Sequence, residues 1–372
     1  MKKTYFLHIL VLAIFFIGCN NNQQIIIQKV EPPKANQIKK VVKKEKPKPT
    51  TKPIEKKKVE IKSDDIAILF PSKIIGKYAQ ETTHSINIYL ISKNSPFTLK
   101  VFDTLTFDKY NILQSIKKIQ KQHIVKVIAM LTKEQLSTLN EIENIDKITF
   151  YLPLINKNDI LDVERFTHLH LIFGAIDYSK QFRKLITYTT DKQHLVEFYD
   201  NSAIGYTLHK YLKPVKLILS KKIDDNNRRY KSFLSKTKKL KNSTLILNTP
   251  IIKSSILLSN ISAVDLEVKQ ILSTELNFTP LLFSLTQKLD RKNLIIASSI
   301  GYLPKYLEQY GELIGDSFKY NWVNYSAIIG TQYLLYNNID SFKDIKIQEN
   351  QIIYPVYLYK VGKYSFKRID SK

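Results

Sequence analysis

The chain has 372 residues, of which 44% are hydrophobic, and a formal net charge of +25. Its single cysteine excludes a fold held by internal disulfides. Its nine glycines leave little room for a phosphate-binding glycine loop. An apolar core must therefore stabilise the fold, and the length is ample for two lobes of ordinary domain size.

Residues 1–19 have the pattern of a bacterial export signal. Lys2 and Lys3 precede an apolar run, residues 5–17, that is too short to span a bilayer comfortably. The alternative, an uncleaved membrane anchor with an incidental cysteine, is disfavoured by that length. The run predicts that the mature chain is exported from the cytoplasm.

The end of this signal resembles the bacterial lipoprotein box. It reads Phe16-Ile17-Gly18-Cys19, with Phe16 where that motif usually has leucine. The resemblance implies cleavage after Gly18, acylation of Cys19 by fatty acids such as palmitate, and a membrane anchor. Asparagines rather than an aspartate follow Cys19, which by the same resemblance favours the outer membrane.

Residues 20–63 are predicted to be a disordered tether. Residues 29–62 contain thirteen lysines against four glutamates, interspersed with prolines, and nine of the net positive charges lie there. Such a stretch buries too little apolar surface to offset its ordering entropy, and its prolines favour extended conformations. At about 3 Å per extended residue, it holds the folded part on the order of 100 Å from the anchor.

The positive charge does not indicate a nucleic-acid partner. Only six of the 58 basic residues are arginines, no basic-aromatic recognition module is present, and the chain is exported. For the tether, anionic lipid headgroups or wall polymers are better partners. A solvated spacer that binds nothing is an equally good reading.

From residue 64 the sequence alternates between apolar strands and amphipathic helices. The run Ile66-Ala67-Ile68-Leu69-Phe70 before Pro71 is typical of a strand buried on both faces of a parallel sheet. Four such alternations require a doubly wound sheet with right-handed crossovers. The predicted strands are 65–71, 97–103, 124–131 and 147–152, and the predicted helices are 76–92, 107–121 and 133–143.

The pattern then restarts, which favours a second lobe over one unusually long sheet. We expect the chain to cross between the lobes near residues 174–177. The predicted strands of this part are 168–173, 194–199, 215–220 and 243–247, and the helices are 178–188, 203–211 and 229–240.

Several of these segments resemble type 1 periplasmic binding proteins, the leucine/isoleucine/valine-binding group. Within that group the chain looks closest to the lipoproteins that activate penicillin-binding proteins. The segments that carry the resemblance are 66–71 with 76–79, 99–104, 125–131, 198–205 and 320–335.

The resemblance implies an α/β fold of two doubly wound lobes joined by crossover segments. By analogy, residues 64–176 and 265–340 form the first lobe. Residues 177–264 and 341–372, with a strand pair at 345–348 and 352–360, form the second lobe. A ligand would lie in the cleft between the lobes, among the loops that follow the strands.

Family members that bind amino acids place small hydroxyl residues after the third and fourth strands. Here the corresponding segments are Met130-Leu131-Thr132 and Leu152-Pro153-Leu154-Ile155. An apolar loop does not satisfy a buried carboxylate, so capture of an amino acid is disfavoured. Residues that face the cleft by position are candidate ligand contacts, although each is equally an ordinary loop or cap residue: Ser72, Lys73, Thr132, Asp177, Asp200, Asn201 and Ser202.

No set of residues indicates catalysis or a cofactor. His168 and His170 share one face of a predicted strand, but no further ligand stands at metal-binding spacing. Asp224 and Asp225 read as a turn rather than an acid and base pair. An acylated Cys19 is no nucleophile. The sequence predicts neither an enzyme nor a metal site.

The sequence therefore predicts a lipid-anchored, periplasm-facing envelope protein that acts through protein or cell-wall contacts. Activation or scaffolding of peptidoglycan synthesis, with a cell-wall synthase or peptidoglycan as partner, is the preferred hypothesis. The alternative is a solute-binding lipoprotein of an ABC transporter with an apolar ligand. A third possibility is a remnant of the fold whose cleft is filled by side chains.

Overall fold

Runs of buried aliphatic residues form the central strands of two sheets. The computed structural model describes residues 64–369 except 95, 190, 225–229, 314, 316 and 317. The predicted signal 1–19 with Cys19 and the predicted tether 20–63 lie outside the described residues. The strands are β1 (Asp64–Phe70), β2 (Phe97–Asp103), β3 (Lys126–Ala129), β4 (Thr149–Leu152), β5 (His170–Phe173), β6 (Leu195–Tyr199), β7 (Leu219–Lys222), β8 (Thr244–Asn248), β9 (Gln270–Ser273), β10 (Leu294–Ser298), β11 (Lys346–Gln348), β12 (Gln351–Ile353), β13 (Tyr357–Val361) and β14 (Phe366–Arg368).

Helices connect most of these strands. They are α1 (Ser72–Ile75), α2 (Lys77–Ser92), α3 (Lys109–Lys121), α4 (Leu136–Leu139), α5 (Tyr178–Tyr188), α6 (Ala203–Leu212), α7 (Tyr230–Lys236), α8 (Ile251–Ala263), α9 (Leu281–Leu285), α10 (Lys305–Leu313) and α11 (Trp322–Tyr336). Several begin at side-chain caps that accept backbone N–H groups, which satisfies donors that a helix leaves unpaired. Asp177 caps α5, Ser202 caps α6 and Asn321 caps α11 in this way.

The two sheets repeat one strand order. The first runs β11-β12-β5-β4-β3-β1-β2 and the second β14-β13-β10-β9-β8-β6-β7. The first five strands of each lobe are parallel to one another. The lobes differ at the next strand, because β12 is parallel to β5 whereas β13 is antiparallel to β10. The predicted fold of two doubly wound lobes is confirmed.

The sheet pairing differs from the predicted lobe boundaries after residue 264. Segment 265–340 was expected in the first lobe, but β9 and β10 extend the second sheet beside β8. Segment 341–372 was expected in the second lobe, but β11 and β12 join the first sheet beside β5. A buried strand has the same sequence pattern in either sheet, so only the pairing partner assigns it.

Alternate residues of the central strands pack into different apolar clusters. Ile66 and Ile68 of β1 belong to a cluster shared by both lobes, whereas Ala67 and Leu69 belong to one confined to the first lobe. This alternation follows from the two-residue period of a strand. The shared cluster continues into the second sheet through residues such as Ile295. A third cluster belongs to the second lobe.

The chain crosses between the lobes three times, at residues 174–177, 299–304 and 354–356. Hydrogen bonds tie the three crossings to one another. Tyr354 Oη donates to the carbonyl oxygen of Gly174 at 2.8 Å, which joins the third crossing to the first. Gln181 Nε2 donates to Ser299 Oγ at 2.8 Å, which joins the helix after the first crossing to the second.

The three hydrogen-bonded crossings form the junction between the lobes. Tyr151 at the end of β4 packs beside this junction. Its hydroxyl lies 2.8 Å from Ser326 Oγ and 3.3 Å from Tyr354 Oη. Glycines flank its ring, since a Cβ added at Gly174 or at Gly330 would approach ring atoms to 2.3 Å. Two glycines are therefore required because a fully buried aromatic ring occupies the space of their side chains.

We expect Gly330→Ala to destabilise the chain. In an unhindered helix, alanine is favoured over glycine by about 1 kcal/mol. Here the added methyl group overlaps the Tyr151 ring, and overpacking of this kind costs about 1–3 kcal/mol. Urea unfolding of the variant should show a lower midpoint. In a Tyr151→Leu background the same change should cost less, and equal costs in both backgrounds would contradict the packing argument.

Candidate functional site

The candidate site lies where the carboxyl ends of the two sets of parallel strands come together. In doubly wound folds, ligands bind outside these strand ends. The loop after β3 and the loop after β4 belong to the first lobe. The loop after β6, the loop after β8 and the turn after β9 belong to the second. The geometry of these segments decides what the cleft can hold.

A direct hydrogen bond joins the two lobes at this cleft. Tyr211 of α6 donates through Oη to Asp159 Oδ1, which lies in a short 3-10 turn after β4. Burial raises the pKa of Asp159, although this hydrogen bond and Lys133 oppose that rise. Burial and the nearby Asp159 raise the pKa of Tyr211. Both side chains are half-buried, so the contact excludes part of the solvent from the cleft.

Opposite charges also approach one another across the cleft. Burial opposes ionisation of Glu134, but a hydrogen bond from Thr132 together with Lys133 and Lys210 lowers the pKa of that carboxyl. Lys210 is in the second lobe, on α6, whereas Glu134 is in the first lobe, after β3. Attraction of this kind between exposed charges contributes little stability.

Aromatic and aliphatic side chains line the inner part of the cleft. The rings of Tyr178 and Tyr211 have centroids 6.4 Å apart, and Tyr178 is hydrogen-bonded to Trp322. Leu154 of the first lobe and Leu276 of the second pack against the same shared apolar cluster as Tyr211 and Trp322. The shared apolar cluster therefore has members on both lobes beside the cleft.

Glu275, which follows β9, is a buried carboxyl at the second crossing. It is 6% exposed, and its Oε2 accepts from the Ser299 backbone N–H at 2.6 Å. Its Oε1 accepts from Ser298 Oγ at 3.2 Å, and its backbone N–H donates to Gln181 Oε1 at 3.0 Å. Burial raises the pKa of Glu275 to about 7, against the opposing effect of these donors.

We expect Glu275 to make stability depend on pH. Between the ordinary pKa of 4.5 and the folded value of about 7, the folded chain holds a proton that the unfolded chain releases. The free energy of unfolding therefore falls as pH rises through this interval, by about 1.4 kcal/mol per unit of pKa shift. Urea unfolding at several pH values should show that the free energy of unfolding depends less on pH in Glu275→Gln than in the wild type. The exposed Glu143→Gln is the matched control, and an unchanged profile for Glu275→Gln would refute the assignment.

We expect Tyr211→Phe to loosen the contact between the lobes. The change removes the hydroxyl that donates to Asp159, and hydrogen bonds to charged groups contribute about 1.5–3 kcal/mol. Hydrogen exchange should become faster at residues 157–160 and 205–212. Tyr206→Phe on the same helix is the control, since Tyr206 is half exposed. Equal hydrogen-exchange rates in the two variants would show that the hydrogen bond from Tyr211 to Asp159 does not hold the lobes together.

The predicted site residues form several local structures. Ser72 donates through its backbone N–H and its Oγ to the Asp103 carboxylate, at 3.0 and 2.5 Å, at the edge of the first sheet. Lys73 is exposed beside it. Thr132 forms a capping box with Gln135 at the start of the turn after β3. The hydroxyl expected to contact a ligand therefore also has a structural role.

The other predicted residues lie on the hinge and on the second lobe. Asp177 accepts from the Lys180 backbone N–H at 2.8 Å and stands near the pair formed by Asp159 and Tyr211. Asp200 is buried and accepts from Lys253 Nζ at 2.7 Å, and Ser202 also donates to it. Asn201 between them is exposed. A ligand role for any of the seven residues stays a prediction.

Sequence reasoning missed Asp159, Tyr211 and Glu275. Glu275 follows a buried strand, which is the signal used for the other candidates. No strand was predicted between residues 247 and 345, so the loop after β9 was not among the candidates. Asp159 and Tyr211 carry no local signal, because they meet only when the lobes come together.

Two surface grooves lie outside these loops. One, of about 550 Å³, lies between α5 and β13 and is lined by Lys180, Arg183, Lys184 and Leu358 among others. The other, of about 560 Å³, lies beside α8 and includes Ser259, Leu285 and Leu289. Among the described residues, no cluster of three or more His, Cys, Asp or Glu side chains could hold a metal ion. Nor does any helix in the described part of the chain have the length and apolarity to cross a membrane.

Solved structures share this architecture across most of the chain. The branched-chain amino acid binding protein LivJ from Streptococcus pneumoniae, in complex with isoleucine, matches with a TM-score of 0.59 and 8% identity, covering 83% of this chain and 99% of that one. The leucine-binding protein LivK from Thermotoga maritima matches with a TM-score of 0.57 and 13% identity, covering 82% and 97%.

LpoA from Haemophilus influenzae matches with a TM-score of 0.53 and 10% identity. The match covers 83% of this chain but 59% of LpoA. No protein-family model matches the chain, and no curated protein matches it. At identities this low, the likeness establishes the fold.

Proposed function

We propose that this chain, whose two lobes have the fold of type 1 periplasmic binding proteins, is a non-enzymatic envelope protein that acts through protein or cell-wall contacts. Acylated Cys19 would anchor it to a membrane, outer rather than inner, and the tether would extend the lobes towards the cell wall. In this hypothesis the lobes activate or scaffold peptidoglycan synthesis.

The observation that carries the proposal is a cleft bridged by a hydrogen bond and lined by apolar side chains of both lobes. A transport protein has to open and close around its solute, and its cleft has to leave room for that solute. Here Tyr211 donates to Asp159 across the cleft, and side chains of both lobes share one apolar cluster. This packing supports a role for the outer surfaces rather than for the cleft.

The loops after the strands add to this argument. Met130 and Leu131 are buried, and the hydroxyl of Thr132 is bonded to the Gln135 side chain at 2.6 Å. A carboxylate placed there would meet apolar atoms and an occupied hydroxyl, which is costly for a charged group. The shared fold with LpoA is consistent with a role other than solute transport.

The second candidate function is solute binding for an ABC transporter. The similar folds of LivJ and LivK favour it, and the apolar Leu154 at the cleft would suit an apolar ligand. In that case the observed packing would be a closed state that opens to admit the solute.

Two measurements on the full-length chain separate these functions. First, we expect in-cell cross-linking and detergent extraction to recover a peptidoglycan synthase with the wild-type chain. A Cys19→Ala variant should leave the membrane and recover less of it. Recovery of a transporter permease, or of no wall-synthesis enzyme, would contradict the proposal.

Second, thermal unfolding should not respond to apolar or aromatic amino acids and related solutes. A cleft ligand at 100 times its dissociation constant would add about 2.7 kcal/mol to the free energy of unfolding. A shift of that size, abolished by filling the cleft with Leu154→Trp, would establish the second candidate function instead.

A further inference from the structure

Four half-exposed tyrosines lie on two helices of the first lobe and on the second crossing that precedes one of them. We define the tyrosine stripe as Tyr302, Tyr306, Tyr310 and Tyr336, which are 43%, 38%, 43% and 42% exposed. Tyr306 and Tyr310 are four residues apart on α10, so they project from the same face of that helix. Tyr302 precedes the helix. Leu313, 81% exposed, ends it.

Packing against the helices of the first lobe holds these rings in place. α10 contacts α2, and Tyr306 is hydrogen-bonded to Ser92 at the end of α2. Burial, Tyr302 and Tyr336 together raise the pKa of Tyr306. Tyr306 and Tyr310 therefore lie on a helix that packs against α2.

Lysines stand beside the stripe. Lys343 Nζ lies 5.2 Å from the centroid of the Tyr302 ring. Lys93 Nζ lies 4.7 Å from the ring of the buried Tyr89 and 5.7 Å from that of Tyr336. Ammonium groups stack on aromatic faces in this way and keep their positive charge. A ligand that runs along the stripe meets cations as well as rings, which favours a ligand with anionic groups.

We propose that the tyrosine stripe binds a linear glycan that carries carboxylate groups. The C–H face of a sugar stacks on an aromatic ring, and its hydroxyls hydrogen-bond to phenolic and ammonium groups. Rings one helical turn apart, with a rise of about 6 Å, are spaced for successive units of an extended polymer. Peptidoglycan has this chemistry, since its peptides carry carboxylates. This inference rests on the proposed function, which places the lobes beside the cell wall.

The shape of the stripe favours a polymer over a protein partner. Protein interfaces concentrate their binding energy in a central cluster of side chains enclosed by a rim that excludes water. The stripe instead consists of separate half-exposed rings with lysines beside two of them. Docking of a protein on the stripe would be recognised by the cross-linking result given below.

The test is co-sedimentation of the full-length chain with isolated peptidoglycan sacculi. We expect Tyr306→Ala with Tyr310→Ala to weaken binding at least tenfold, whereas Tyr306→Phe with Tyr310→Phe, which keeps the rings, should retain most of it. The matched control is Tyr110→Ala with Tyr364→Ala. These tyrosines are 70% and 76% exposed, and Lys363 stacks on Tyr364. The control should bind within twofold of wild type.

Two further measurements make the result specific. The stripe alanine variant should still unfold in one cooperative transition, at a somewhat lower temperature because Tyr306 loses its hydrogen bond to Ser92. Chitin, a linear glycan without carboxylates, should bind more weakly than sacculi. Binding to chitin as strong as to sacculi would overturn the part of the proposal that concerns anionic groups.

Failure of the inference can be separated from failure of the proposed function. If the wild-type chain does not sediment with sacculi, or if the stripe variant and the control bind equally, the inference is wrong. If the stripe variant loses its cross-link to a peptidoglycan synthase but still binds sacculi, the stripe is a protein interface. In either case, cross-linking of the wild-type chain to the synthase would still support the proposed function.

Discussion

The connection between the lobes depends on the hydrogen bonds that the carbonyl oxygen of Gly174 accepts. Tyr354 Oη and Ser326 Oγ each donate to it at 2.8 Å, so residues of the third crossing and of α11 converge on the first crossing. Lys180 Nζ also donates to the Tyr354 carbonyl oxygen at 3.3 Å. Buried polar groups of this kind have a high cost when they lose a partner, so these hydrogen bonds hold the crossing segments together.

The state of the cleft follows from this junction. Because the crossings are held together, the loops after β4 and the helix after β6 stay close enough for Asp159 to accept from Tyr211. Apolar side chains of both lobes then pack into one cluster, and Glu275 is left buried beside the second crossing. A hydrogen bond and a shared apolar cluster thus join the two lobes.

Tyrosine has two different structural roles in this chain, which contains 22 of them. At the junction, Tyr151 and Tyr354 are buried and their hydroxyls are hydrogen-bonded, which a phenylalanine could not reproduce. On the surface of the first lobe, tyrosines are half-exposed and stand beside lysines. A phenol ring has an apolar body and a polar end, so it suits a wet surface as well as a polar junction.

The sequence by itself determined the alternation of buried strands and helices, the first crossing near residues 174–177 and the presence of two doubly wound lobes. These features are local, because they depend on apolar runs, caps and periodicity within short segments. Only the tertiary structure decided that β9 and β10 belong to the second sheet, and that β11 and β12 belong to the first. It alone brought Asp159 to Tyr211 and closed the cleft, since these contacts join residues far apart in the chain and leave no pattern within either segment.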